Sequence, residues 1–97
     1  MAMTDPRDDV AELVASMDAH LAATEELPLE EDANRWLGEA HAVATDLAES
    51  DLEDDVLVER VEKVLELLRE VDGTGHDDAD QHVAAAQRAA ERVLDRQ

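Results

Sequence analysis

Ninety-seven residues make one modest domain, and 27 acidic against 8 basic side chains give a net charge of −19, yet 44% of the chain is apolar, which suits a globular protein rather than a disordered tail. The lack of cysteine excludes a disulfide framework, a thiolate metal site and a cysteine nucleophile, and the acidic balance excludes a basic footprint for DNA or RNA. The opening "MAMTDPRDDV" lacks the basic start and apolar run of a signal peptide, and no stretch of about 18 apolar residues is available to cross a bilayer, so the chain is expected in the cytoplasm without nucleic acid or membrane partners.

Four helices are predicted. The first, over about 5–24, opens with Thr4 or Asp5 as N-cap and Pro6 in the first turn, where its missing N–H is harmless. Val10, Leu13, Val14, Met17 and Leu21 then recur at helical spacing. Pro28 stops the helix and biases Leu27 toward extended geometry. The second helix, over about 29–49, carries the stripe Ala33, Trp36, Leu37, Ala40, Val43, Ala44 and Leu47. "SDLE", Ser50 to Glu53, matches a capping box and opens a third helix over about 51–72. Its face of Leu57, Val61, Val64, Leu65, Leu68 and Val71, widened by Val58 and Leu67, is broad enough to touch more than one neighbour. With phenylalanine, tyrosine and isoleucine absent, leucine, valine and alanine must build the core, with Trp36 as its one large aromatic.

"VDGTGHDDADQH", Val71 to His82, reads as punctuation between helices. Gly73 or Gly75 supplies the left-handed residue that closes the third helix, and Asp77 is the expected N-cap of a fourth over about 77–96. Asp78 and Asp80 fall in its first turn and Arg88, Arg92 and Arg96 toward its end, which suits the helix dipole. Ala79, Val83, Ala86, Ala90, Val93 and Leu94 form its inner face. The whole is an all-α antiparallel four-helix bundle. Shifting the second helix by 46 positions lays Ala33, Leu37, Ala40, Ala44 and Leu47 on Ala79, Val83, Ala86, Ala90 and Val93. Shifting the first by 47 lays Val10, Val14, Met17 and Leu21 on Leu57, Val61, Val64 and Leu68. These near-equal offsets suggest two repeated helical hairpins.

The candidate chemistry is thin. Counted from Asp72 as an EF-hand, the loop has Asp77 where glycine is needed and Val83 where a bidentate glutamate is needed, so it is not a calcium loop. "GTG" lacks the lysine and spacing of a phosphate loop. Asp78 and His82, four apart, share a helix face and are the one weak metal alternative, with His20 and His41 at the edges of their own apolar stripes. Di-iron bundles use Glu-x-x-His, and no histidine here has a glutamate three residues before it. Glu59-x-x-Glu62 followed by Asp77-x-x-Asp80 resembles the magnesium carboxylates of small helical nucleotide pyrophosphohydrolases, but the phase of the third helix turns Glu59 and Glu62 to solvent. Ser16 and Ser50 have neither a glycine-rich elbow nor a neighbouring base. No catalytic residue, metal or cofactor is therefore assigned, and the metal-dependent hydrolase is the alternative reading.

In composition, with one lysine, seven arginines and abundant Asp, Glu, Ala and Val, the chain resembles the small, acidic, uncharacterised helical proteins of halophilic archaea. That resemblance implies a surface adapted to molar salt and supplies no activity. The expectation is a small interaction or structural protein. Gly38 and Ala40 beside Trp36, with the alanine-rich faces of the second and fourth helices, would permit a homo-oligomer or a protein partner.

Overall fold

The computed structural model describes residues 6–96, with side chains described from Asp9 onward. Four helices follow one another: α1 (Pro6–Thr24), α2 (Glu31–Glu49), α3 (Asp54–Arg69) and α4 (Asp77–Asp95). The N-cap expected at Thr4 or Asp5 lies outside the described residues. Each helix packs on its chain neighbours and α4 closes on α1, while among the described residues the backbones of the diagonal pairs α1–α3 and α2–α4 stay farther apart. The bonds between elements fix the directions. Asp18 and Glu25 of the first hairpin reach Thr45 and His41, so α1 and α2 run antiparallel. Arg96 meets Asp9 while His20 meets His82, so α4 and α1 do too. The Glu30 N–H donates to the Thr74 carbonyl at 3.1 Å, which places the α1–α2 and α3–α4 turns at the same end. The result is an up-down-up-down four-helix bundle, as the apolar periodicity requires.

The core follows the expected stripes. Val14, Met17 and Leu21 of α1, Leu37 and Leu47 of α2, Val61, Val64, Leu65, Leu67 and Leu68 of α3, and Val83 and Val93 of α4 are buried. Alanines at 33, 40, 44, 79, 86, 89 and 90 are buried with them, so the alanine faces of α2 and α4 are used within the monomer. Trp36 is only half-buried, packed on the margin of the core. An offset of 46 carries Glu31–Glu49 onto Asp77–Asp95 from end to end, and every one of the ten residues matched by that offset is buried. At an offset of 47, Val14, Met17 and Leu21 match Val61, Val64 and Leu68, all buried, and half-buried Val10 matches half-buried Leu57. The two hairpins thus bury matching positions, α1 with α3 and α2 with α4.

Three boundaries differ from those expected, each for a packing reason. α2 begins at Glu31 rather than Leu29. Glu30 is extended at φ −61, ψ 148 and its N–H is held by the opposite turn, while Leu29 packs on the core. α3 begins at Asp54, because Ser50 closes α2 in an extended conformation and Leu52 turns onto the core before the helix can start. No capping box forms, and Glu53, the actual N-cap, makes no side-chain cap bond. α3 ends at Arg69 rather than 72. The Glu70 and Val71 N–H groups donate to the carbonyls of Leu67 and Leu68, a tightened last turn that satisfies acceptors left open at a helix end.

Candidate functional site

The polar structure concentrates at the two-turn end of the bundle, and its centre is the GTG stretch. Gly73 and Gly75 both have positive φ, 78° and 80°, and they reverse the chain on either side of Thr74. At Gly75 an added Cβ would also stand 3.1 Å from Cγ of Glu30. Thr74 is fully buried yet fully bonded. Its N–H donates to Asp80 Oδ1 at 2.9 Å, and its carbonyl accepts from Glu30. Its hydroxyl lies 2.8 Å from both Asp80 Oδ1 and the His76 carbonyl, and accepts from the His76 N–H at 3.1 Å. Asp80 is thereby a loop anchor. Its Oδ1 is committed to Thr74, and both Glu59 and Glu62 lie exposed on α3. Sequence reasoning missed this knot, although a threonine between two glycines, six residues before an aspartate, was its signal.

The expected N-cap at Asp77 is corrected. His76 caps α4: it is extended at φ −143, ψ 122, and its Nδ1 accepts from the Asp78 N–H at 3.2 Å, leaving Asp77 as the exposed first helical residue. His76→Ala should therefore destabilise the fold by about 0.5–2 kcal/mol, the usual value of a cap. Asp80→Ala, which strips both bonds from buried Thr74, should cost about 1–3 kcal/mol. Asp77→Ala should be nearly neutral. Urea unfolding of the three variants in molar salt reads the order, and a loss at Asp77 larger than at His76 would restore the original cap.

The three histidines on the helices do not converge on one point. His41 of α2 sits between two carboxylates of the first hairpin, with Nδ1 2.7 Å from Glu25 Oε1 and Nε2 3.2 Å from Asp18 Oδ1. Asp18 also accepts from the Thr45 hydroxyl at 2.8 Å, which ties α1 to α2. His20 lies on the opposite flank of α1. Its Nδ1 is 2.9 Å from Nδ1 of His82 on α4, with the ring centroids 5.2 Å apart and the planes tilted by 41°. Beside this pair opens a cavity of about 510 Å³ whose wall includes Glu26, Leu27, Asp78, Gln81 and Arg88. Asp78 and His82, the weak metal alternative, thus border one cavity, and the structure brings His20 to them but not His41. Among the described residues no group of three or more histidines and carboxylates stands at metal-ligand spacing. Ser16 and Ser50 are exposed. No described helix is long and apolar enough to cross a membrane.

A second, wider depression of about 840 Å³ opens at the other end, floored by Val10, Val14, Leu47, Leu52 and Leu57. Asp51, Glu53 and Asp54 edge it, together with Arg96. Arg96 pairs with Asp9 at 3.2 Å, an exposed contact worth little by itself.

These features define an all-α, up-down-up-down four-helix bundle whose side-chain hydrogen bonds between elements gather along the α1 seams and in one turn. Within that class the chain belongs to the family described as Domain of unknown function (DUF8152), whose model matches residues 13–97. No curated protein and no solved structure matches the chain.

Proposed function

We propose that the chain is a small helical interaction protein suited to a salt-rich cytoplasm, and that it binds a second copy of itself through the α2 face around Trp36. The observation that carries this reading is the state of the chain's one aromatic side chain. Trp36 is half-exposed, with the Arg35 guanidinium 5.6 Å from its ring centroid. Tryptophan and arginine are the residues most enriched among interface hot spots. On the Arg35 side the outer face of α2 is low and open: a Cβ built at Gly38 meets nothing within 4 Å, and Ala42 is exposed. Small residues on an outer helix face let two helices approach closely, and a two-fold pairing of α2 with its copy would cover both tryptophans at once.

Charge supports the salt-rich setting. Exposed carboxylates occur on all four helices rather than on one surface, as expected of a solvated shell and not of a nucleic-acid mimic. Two copies carrying −19 each repel in dilute buffer. At about 1 M salt the screening length falls to roughly 3 Å, and that barrier largely disappears.

Sedimentation velocity in dilute and in molar potassium chloride tests the reading, with the emission of the single tryptophan followed in parallel. The dimer should appear in molar salt, with Trp36 emission shifting to the blue as protein concentration rises. Trp36→Ala should remain helical by circular dichroism and stay monomeric. A wild type that is monomeric at every salt and protein concentration overturns the proposal, as does a dimer that survives loss of Trp36.

A further inference from the structure

We propose that the α1–α4 seam is a pH-responsive latch, closed by the His20–His82 bond when at least one of the two imidazoles is neutral and opened when both are protonated. The ring centroids, 5.2 Å apart, are about as far apart as a 2.9 Å contact between Nδ1 atoms allows. Both nitrogens therefore lie close to the line joining the ring centres. This is a straight N–H···N hydrogen bond, in which one Nδ1 donates and the other must keep its lone pair.

The bond tolerates one added proton, placed on an outer nitrogen. A second proton sets two N–H groups head to head and two positive charges in contact. Glu26, from the segment after α1, and Asp78 of α4 face the same cavity and favour a single charge there, whereas Arg88 of α4 opposes it.

The matched positions of the two hairpins supply a second reason to regard the pair as a device. His20 at an offset of 47 corresponds to Leu67, which is buried, and His82 at 46 corresponds to Trp36. The α2–α3 seam thus has two apolar residues at the positions where α1 and α4 carry two imidazoles. Of these two seams only the α1–α4 seam holds paired imidazoles, so acid would loosen the bundle on one side. That side is away from the Trp36 face.

The sign follows from proton counting. The latched pair binds one added proton, while the same two histidines in the unfolded chain bind two, so stability falls as pH drops below neutrality. Comparison with a variant at His20 isolates the contribution of the pair.

The experiment is nitrogen NMR of the histidine rings in the full chain, together with melting temperature, across the pH range in which histidines titrate and in molar potassium chloride. The wild type should show one ring protonated at Nδ1 near neutral pH. His20 and His82 should take up protons in two separated steps, and the melting temperature should fall through the second. In His20→Leu, which supplies the apolar residue found at the matched position of the α2–α3 seam, His82 should titrate in a single step, with a smaller acid loss of melting temperature. The ring spectra of the wild type decide the matter even if that variant folds poorly. Independent titration of the two rings overturns the latch, as do superimposable pH profiles in wild type and variant. A melting temperature raised by micromolar zinc in the wild type but not in His20→Leu overturns it in favour of a metal chelate.

Discussion

Leu68→Ala should lower the stability of the fold by about 2–5 kcal/mol, the largest effect expected of any single side chain here. Leu68 is 1% exposed, near the end of α3, and α3 packs on both α2 and α4. Truncation leaves a void bounded by more than one helix, which backbone movement of a single helix cannot fill. Leu65, 5% exposed one turn earlier, should behave similarly. Leu57 is half-exposed at the edge of the end groove and serves as the control, since part of its side chain already meets water. A domain of this size has a total stability of about 5–15 kcal/mol, so the two core losses should be plain in urea unfolding and in the melting temperature. Losses below about 0.5 kcal/mol at both leucines, set against the usual range for buried truncations, would mean that this face of α3 is not the packed one.

Salt should have a second large effect. With 27 carboxylates against 8 basic side chains, most negative charge has no basic partner within reach. Among the described residues the pairs of lysine or arginine with a carboxylate, Lys63–Glu66 at 3.8 Å and Arg96–Asp9 at 3.2 Å, are exposed and contribute little. Folding brings these charges closer together than they are in the open chain, so repulsion works against the compact state in dilute buffer. Helix content and melting temperature should therefore rise steeply as potassium chloride is raised from about 0.05 M, where screening extends beyond 10 Å, to molar concentration, where it ends near 3 Å. Sodium and potassium chloride at equal ionic strength should act alike, because screening depends on charge and not on a specific ion. Identical circular dichroism and melting at both extremes would remove the self-repulsion argument. The acidic surface would then call for a binding explanation.

Most of the residues that the 3.6-residue period marks as apolar are buried by the fold, with Trp36 left at the core margin, and this much was set by the sequence alone. Burial is a local requirement: each helix must hide one stripe whichever neighbour covers it. Val14, Met17 and Leu21, or Val61, Val64 and Leu68, could be assigned to the core without knowing what they would meet. The two glycines around Thr74 were legible for the same reason, since a positive φ is a property of the residue itself. The likeness of the two hairpins was visible because they bury matching patterns at offsets of 46 and 47.

Relations between distant residues were decided only by the tertiary structure. His20 and His41 look equivalent along the chain, each at the edge of an apolar stripe. Which of them meets His82 depends on the order of helices around the bundle, and α1 turns one flank to α4 and the other to α2. The cap of α4 passed from Asp77 to His76 because burying Thr74, and bonding it to Asp80 and Glu30, fixes where the chain first becomes helical. α3 gave up its first turn because Leu52 gains more by reaching the core than Ser50 gains by capping. In each case a local preference worth about 1 kcal/mol was overruled by burial of a side chain or of a polar group that had to be bonded, terms of similar or greater size that a linear reading cannot weigh.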